Sequence, residues 1–312
     1  MQEDDQEESR LWEEVASDDG ETKVEALLQL SYNASGRHEY KESLAFCETA
    51  RDVYEGLGAK ASTLKMAHIY FGIGFSLRHL NRALEAAGAL AKSANLYQEI
   101  GAEDAAHLLN EEGDAWYQAR EYQKSFDAYK RAIDNANPDT CDAIVARNYA
   151  DAGTALEKLR DWKRALEFFS EARVRFKQLK DLKTMAHCDE EISLCHVWLG
   201  DGASALAHAQ LALDYAELAE DETHFMWAKA RMALANKALG QYQLSLQLFA
   251  EAKSLMVSHS NPPWKAVIKL EKQTASILQK LGRNEEAQEI LRRISSFEEI
   301  FLDERERNEE VI

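Results

Sequence analysis

The residue types best suited to metal binding lie in one short segment, His187-Cys188 followed by Cys195-His196. Seven residues separate the two cysteines, so on a helix they share a face and lie roughly 10 Å apart. A single zinc ion needs ligand atoms at about 2.0–2.3 Å, and this separation is too large for that. Buried thiols pack as small apolar groups. The spacing therefore favours core packing and predicts no metal site, with zinc as the alternative.

Motifs of catalysis and cofactor binding are missing. The sequence has no Walker-type phosphate loop, no G-x-S-x-G elbow and no paired C-x-x-C. Gly72-Ile-Gly74 lacks the third glycine of a dinucleotide fingerprint. His38-Glu39 begins like a zinc-protease helix but offers Glu42 where the second histidine belongs. We therefore predict no catalytic residue and no cofactor, and an enzyme is the third hypothesis for function.

Neighbouring carboxylates could serve as general acid and base, and three acidic runs are candidates: Glu111-Glu112, Asp189-Glu190-Glu191 and Asp303-Glu304. Charged residues are mostly exposed in folded proteins. We therefore expect these runs to lie on solvated helix faces.

The composition predicts an all-α protein. Only three of the 312 residues are proline, whereas average usage of about 5% would give roughly fifteen. Proline interrupts helices, so its scarcity predicts long ones.

A net charge of −18 argues against nucleic acid or a membrane surface as a partner. No segment reaches the ~20 apolar residues of a membrane span, the first ten residues do not resemble a signal peptide, and the four cysteines are scattered. We therefore expect a cytoplasmic protein with free thiols.

One pattern recurs along the chain: a turn residue, an aromatic residue two positions later and a small residue five positions later. Clear copies begin at Arg120 (Tyr122, Ser125), Arg160 (Trp162, Ala165) and Gly240 (Tyr242, Ser245). Weaker copies begin near 38, 78, 200 and 282, so the turns lie near 38, 78, 120, 160, 200, 240 and 282. Positions 5, 9 and 12 after each turn share a helical face, and this face is apolar or small in every copy.

The spacing of 40–42 residues between these turns predicts about seven helical hairpins, each with a tight turn that a glycine can close with a positive φ. One hairpin cannot bury its apolar face alone, so neighbours should stack into a solenoid with a continuous core. Gly113 and Gly153 are expected at close helix contacts, and Asn137-Pro138 and Asn261-Pro262-Pro263 between repeats. We expect an acidic segment over residues 1–20, repeats over 21–296 and a charged tail or capping helix over 297–312. The termini are interpreted as a frayed end and a solvated cap, with an interaction arm as the alternative.

The turn, aromatic and small-residue pattern resembles the tetratricopeptide repeat over about residues 22–296. The period of 40–42 residues is longer than the usual 34 and is similar to the variant in kinesin light chain, LGN-type polarity scaffolds and bacterial peptide-sensing regulators. The resemblance implies a right-handed superhelical solenoid with ligands on its concave surface.

In such repeats the ligand-facing positions lie 13, 10, 6, 3 and 2 residues before the turn. Carried over to this chain, they give the candidate peptide-binding residues Asn110, Asp114, Tyr117, Arg147, Lys158, His187, Glu190, Trp198, Trp227, Lys237, Lys269, Lys272 and Lys280. The whole surface inferred in this way carries seven basic residues (Lys65, Arg147, Lys158, Lys237, Lys269, Lys272, Lys280) and four acidic ones (Glu25, Asp114, Glu157, Glu190).

This excess of positive charge suggests an acidic peptide or a C-terminal carboxylate as ligand. Trp198 and Trp227 could receive an apolar anchor. The alternative is that the tryptophans pack between repeats and the lysines are scattered surface charges.

The resemblance implies two functions. The first is a non-enzymatic scaffold or adaptor that holds a protein segment in its groove. The second is a switchable regulator that senses a small peptide and controls a separate effector protein. The seven repeats take up nearly the whole chain and no helix-turn-helix accompanies them, which favours the adaptor. Self-association through open solenoid ends is a further alternative.

Overall fold

The computed structural model describes residues 2–58, 62–101, 105–136 and 143–301, with side chains from residue 6 to 298 except 105. Within these ranges all regular structure is α-helical, as the composition predicted, and no described helix is both long and apolar enough to cross a membrane. The helices are α1 Gln2–Val15, α2 Gly20–Gly36, α3 Tyr40–Gly56, α4 Thr63–His79, α5 Ala83–Glu99, α6 Ala105–Gln118, α7 Tyr122–Asp134, α8 Ala143–Lys158, α9 Trp162–Leu179, α10 Leu182–Trp198, α11 Gly202–Leu218, α12 Glu222–Ala238, α13 Tyr242–Ser258, α14 Trp264–Lys280 and α15 Asn284–Phe301.

The chain divides into two compact units, Met1–Asp161 with α1 to α8 and Trp162–Ile312 with α9 to α15. Within each unit every helix packs against the next one. Some first helices of neighbouring hairpins also meet directly, α2 with α4 and α6 with α8 in unit 1, and α10 with α12 in unit 2. Each unit is thus a row of helical hairpins.

The turn after each first helix closes on a residue with a left-handed backbone. These residues are His38, Asn81, Arg120, Arg160, Gly200, Gly240 and Gly282. The next amide then donates to the carbonyl five positions earlier, for example Asp201 N to His196 O at 2.9 Å and Gln241 N to Asn236 O at 2.9 Å. This is the Schellman closure, which satisfies carbonyls that the helix end leaves unpaired.

The second turn differs from the position given by the sequence pattern. Arg78 lies inside α4, and the left-handed residue is Asn81. The spacing of Arg78, Leu80 and Ala83 resembles that of the repeat pattern. Asn81 takes the turn instead, because asparagine tolerates the left-handed conformation far better than arginine does. The turn is therefore three residues later than predicted.

The predicted core face of the second helices is confirmed. In five of these helices, α3, α7, α9, α11 and α13, positions 5, 9 and 12 are all buried, for example Ser125, Tyr129 and Ala132; Ala165, Phe169 and Ala172; Ser245, Phe249 and Ala252. In α5 the later turn puts Ala86, Leu90 and Ser93 at these positions, and all three are buried as well. Leu291 of α15 is the exception, because within the described chain no later helix covers it.

The thiols of α10 are core groups, as expected. Cys188 and Cys195 are buried thiols, and burial raises the pKa of Cys188 above its ordinary value, which keeps that thiol protonated. Cys47 is likewise free and buried, and its pKa rises to about 11 for the same reason. Cys141, Asn137-Pro138 and Asp303-Glu304 lie outside the described residues.

The N-terminal segment is helical rather than frayed over α1. Leu11 is buried against Ala26 and Leu30 of α2, and the Trp12 ring meets Phe46 edge-on at 5.7 Å between centroids. A few apolar residues on one face are enough to dock an otherwise acidic helix. At the other end α15 runs to Phe301.

The acidic run on α10 is buried, which corrects the expectation of a solvated face. Asp189 has no exposed surface, and Glu190 and Glu191 are also buried. Successive residues on a helix point about 100° apart, so the three carboxylates reach different partners. Asp189 accepts from Arg173 Nε of α9 and His208 Nδ1 of α11, both at 2.6 Å.

The other two carboxylates bind α12. Glu190 accepts from His224 Nδ1 at 3.0 Å, and Glu191 accepts from Arg231 at 2.8 Å. In unit 1 Glu112 is buried as well and pairs with Arg131 of α7 at 3.2 Å, while burial raises its pKa. Buried carboxylates on α6 and α10 therefore join neighbouring helices through charged hydrogen bonds. A buried carboxylate without such a partner would destabilise the fold.

Glycine permits close helix contact in unit 1, as predicted for Gly113. A Cβ on Gly113 of α6 would lie 2.5 Å from Tyr129 Cε1 of α7, whereas a Cβ on Gly88 of α5 would meet nothing within 4 Å. Gly153 of α8 is buried as well.

We expect Gly113→Ala to lower the free energy of unfolding by about 1–3 kcal/mol, because the methyl group collides with an aromatic ring. Gly88→Ala is the matched control and should raise it by up to about 1 kcal/mol, since alanine is the better helix former. Urea denaturation followed by circular dichroism measures both. Equal stabilisation by the two substitutions would disprove the contact.

We expect Asp189→Asn to destabilise unit 2 by about 1–3 kcal/mol, because Arg173 and His208 lose a charged acceptor. The control is Asp214→Asn on the exposed face of α11, which should change stability by less than about 0.5 kcal/mol. Thermal unfolding of the two variants tests this. A change at position 189 no larger than at 214 would contradict the structural role of the buried carboxylate.

Candidate functional site

The first helices of three successive hairpins, α10, α12 and α14, line a groove in unit 2. We call it the unit 2 groove; its volume is about 570 Å³. Its lining residues are Leu194, Val197, Trp198, Trp227, Ala230, Arg231, Leu234, Lys237, Ala238, Leu239, Gly240, Tyr242, Ala266, Lys269, Leu270, Gln273 and Lys280. The groove therefore combines aromatic and aliphatic walls with four basic side chains.

The helical period explains why α12 supplies so much of this wall. Trp227, Ala230, Leu234 and Lys237 follow one another at intervals of three or four residues, so they lie along one face of α12. These are also the positions that the family offsets give for the turn at Gly240.

Lys237 is held inside the groove by neutral partners. Its Nζ donates to Gln273 Oε1 at 2.5 Å and to Ser276 Oγ at 3.3 Å, both on α14. The pKa of Lys237 is lowered, first because burial disfavours the charged ammonium group and second because Lys280 adds a like charge nearby. Both hydrogen-bond partners of Lys237 are neutral, so neither of them balances its positive charge.

The charge of the groove is opposite to that of the whole chain. Lys237, Lys269, Lys280 and Arg231 line it, and none of its described lining residues is acidic, whereas the chain carries −18. The positive charge of Arg231 is paired with Glu191 at 2.8 Å. Lys280 Nζ lies 5.7 Å from the centroid of the Tyr242 ring, within cation–π range. The groove thus concentrates positive potential against an aromatic surface.

An aromatic pair borders the groove at the end of α10. Trp198 is 49% exposed, and its ring stacks on Trp162 of α9 with centroids 5.3 Å apart and planes 11° apart. Trp227 is partly buried on the facing helix. An exposed indole that is already ordered by stacking costs little entropy when it receives a ligand side chain.

Five of the eight candidate residues in unit 2 meet at this groove. Trp198, Trp227, Lys237, Lys269 and Lys280 all line it. Lys272 instead pairs with Glu298 of α15 at 2.9 Å. Three residues beyond Lys269, it is rotated about 60° around α14, away from the groove and toward the last helix.

His187 and Glu190 lie on α10 before Leu194, and Glu190 is joined to His224 of α12. The two histidines and the carboxylate form a separate cluster with the residue types of a metal site. His224 was missed by the sequence analysis because it falls outside the family offsets.

The candidates of unit 1 are more dispersed. Asn110 Nδ2 of α6 donates to Asn148 Oδ1 of α8 at 2.6 Å, and Asp114 accepts from the Tyr129 hydroxyl at 2.7 Å. Tyr117 packs edge-on against Tyr122. The two remaining candidates are on α8, where Arg147 is exposed and Lys158 half-buried. Asn110 and Asp114 thus have structural partners between helices.

The polar groove residues Arg231, Gln273 and Tyr242 were not among the candidates, and neither were the aliphatic lining residues. Arg231 adjoins Ala230, and Gln273 is one helical turn from Lys269, so a wider helical face would have included both. Tyr242 was identified only as a turn aromatic of the repeat. Its position at the start of α13 beside Lys280 of α14 gives it a second contact surface.

Comparison with known proteins yields structural similarity only. No protein-family model matches the chain, and no curated protein matches it. The apo form of RapI has a TM-score of 0.62 at 12% identity, with 86% of this chain and 95% of that chain aligned. A Rap protein complexed with Competence and Sporulation Factor has a TM-score of 0.51 at 14% identity, over 90% and 76%.

A third similar structure is a signal transduction ATPase with numerous domains from Pyrococcus horikoshii, which carries a tetratricopeptide repeat sensor. Its TM-score is 0.64 at 12% identity, and 90% of this chain aligns with 43% of that protein. Together with the all-helical hairpins and the recurring turns described above, these similarities show that the chain has the fold of tetratricopeptide-repeat proteins.

Proposed function

We propose that the chain is a non-enzymatic adaptor that binds an acidic protein or peptide segment in the unit 2 groove. The observation that carries this proposal is the convergence of Lys237, Lys269 and Lys280 on one groove whose described lining has no acidic residue. Such a groove favours carboxylates while the rest of an acidic chain repels them.

The ligand has a second requirement beyond charge. Trp198, Trp227 and Leu234 present apolar surface beside the lysines, so the best ligand combines carboxylates with one apolar or aromatic side chain. Aromatic anchors in a partly desolvated pocket commonly dominate the binding energy, and the flanking charges set specificity and association rate. We propose that the carboxylates of the ligand pair with Lys237 and Lys280, and that its apolar side chain packs against the wall formed by α10 and α12.

A switchable regulator is the second candidate, supported by similarity to a Rap protein that was solved with a bound factor. In that case the same groove would receive the peptide, and a separate effector protein would bind elsewhere on the chain. The two functions differ in one property: in a regulator, peptide binding changes the affinity for the second protein.

We expect Lys237→Glu/Lys280→Glu to weaken binding of a short glutamate-rich peptide with one phenylalanine by at least about tenfold, which corresponds to about 1.4 kcal/mol. The control is Lys163→Glu/Lys177→Glu, which changes the net charge equally at two exposed lysines of α9. Fluorescence anisotropy of the labelled peptide measures the affinities, and circular dichroism confirms that the variants are folded.

Equal weakening in both double variants would mean that only net charge matters and would contradict a groove site. Binding of a lysine-rich counterpart peptide as tightly as the glutamate-rich one would contradict the proposed ligand chemistry. Failure of the wild-type chain to bind the glutamate-rich peptide would also contradict it.

Alkaline pH offers a separate test of Lys237. A lysine with a lowered pKa loses its charge at lower pH than an ordinary lysine, so affinity for the acidic peptide should begin to fall before pH reaches about 10.4. Lys237→Arg keeps its charge over this range and should hold affinity to higher pH. Identical pH profiles for wild type and Lys237→Arg would show that Lys237 does not contribute its charge to binding.

A further inference from the structure

Two histidines and one carboxylate of unit 2 meet between α10 and α12. The potential ligand atoms of His187, Glu190 and His224 all lie within 4.8 Å of one another. Glu190 Oε1 is 3.0 Å from His224 Nδ1, and Glu190 Oε2 is 4.0 Å from His187 Nδ1. This cluster has no part in the groove chemistry described above.

The helices fix these three side chains from two directions. His187 and Glu190 are three residues apart on α10, so they share one face. His224 lies in the first turn of α12, where its amide donates to the Asp221 carboxylate that caps the helix at 3.0 Å. Because α10 and α12 pack directly against each other, the first-turn histidine comes to lie beside that face.

The cluster is anchored on one side and open on the other. The Glu190 side chain is 3% exposed, whereas those of His187 and His224 are 39% and 22% exposed. A buried carboxylate with few rotamers open to it presents a fixed oxygen pair, and the imidazoles can turn toward it. The charges beside the cluster are largely paired already, Glu191 with Arg231 and Lys183 with Asp221.

The distances are close to those of a metal site. Zinc bonds of about 2.0–2.2 Å to nitrogen and oxygen put adjacent tetrahedral ligand atoms roughly 3.3 Å apart. The separations of 3.0 and 4.0 Å bracket that value, so small rotations of the two half-exposed imidazoles complete the geometry. Two imidazoles exclude the hard cations magnesium and calcium as preferred ions and suit the first-row divalent transition metals.

We propose that His187, Glu190 and His224 bind one divalent transition-metal ion, for which zinc is the natural probe. Three protein ligands leave at least one coordination position open, and the exposed side of the two histidines places it toward solvent. His187 and Glu190 precede the groove residue Leu194 by seven and four residues, so the ion lies one to two helical turns from the unit 2 groove along α10. The site does not depend on the acidic-peptide function.

The competing explanation is that the cluster is only a hydrogen-bonded group that satisfies the buried Glu190 carboxylate. It predicts no stoichiometric metal binding, and the two explanations therefore separate in a direct titration. The thiols are a further source of zinc affinity, and a variant that leaves all cysteines in place distinguishes them.

The experiment is isothermal titration of the chelator-treated full chain with zinc near neutral pH, on wild type, His187→Ala and His224→Ala. The control is His196→Ala, a half-buried histidine on α10 outside the cluster that stacks on His208. We expect one zinc per wild-type chain, unchanged binding in the control, and at least about tenfold weaker binding in each cluster variant, since even outer-shell partners are worth about 10–100-fold. A cobalt titration followed by visible absorption gives a second readout of the same ligands.

Both alanine substitutions are at half-exposed positions, and circular dichroism confirms that each variant is folded before titration. Absence of one-to-one zinc binding in wild type overturns the proposal. Undiminished binding in His187→Ala and His224→Ala also overturns it and assigns the metal to cysteines or other groups. Equal loss in the His196→Ala control overturns it as well.

Discussion

The left-handed turn at the end of each first helix is the constraint on which the rest of the structure depends. One residue with positive φ ends the helix and reverses the chain, so the position of that residue sets which side chains of both helices face the core. Glycine fills the position at Gly200, Gly240 and Gly282, all in unit 2. At Arg120 and Arg160 a residue with a Cβ adopts the same conformation at a cost of about 1–2 kcal/mol, which the packed hairpin must offset.

That constraint determines the chemistry of the unit 2 groove. Because the turn after α12 closes at Gly240, the residues spaced at three and four positions before it form one continuous face, from Trp227 to Lys237. The ammonium group of Lys237 is then placed among neutral groups of α14 instead of in water, which lowers its pKa. A positive charge already stripped of much of its hydration binds a carboxylate at a smaller desolvation cost than a fully solvated lysine.

Local patterns in the sequence were enough to predict the helical hairpins, the core face that includes Phe169 and Phe249, and five candidate residues that line the unit 2 groove. They failed where the deciding partner is distant in sequence. Asp189 was assigned to a solvated face because Arg173 and His208 lie on other helices, and Glu191 finds Arg231 40 residues later. The fixed family offsets assigned Lys272 to the groove, whereas its neighbour Gln273 lines the groove and Lys272 pairs with Glu298. A shift of one residue along α14 is enough to move a side chain to another face of the helix.

Photo-crosslinking would show whether the unit 2 groove holds an acidic segment with an apolar anchor. A glutamate-rich peptide carrying a benzophenone group in place of its phenylalanine is irradiated with the full chain, and the attachment sites are mapped by mass spectrometry. We expect attachment on the facing surfaces of α10, α12 and α14, at residues such as Trp198, Trp227 and Leu234. Attachment confined to α9, α11 and the part of α13 beyond Tyr242, or to unit 1, would contradict it.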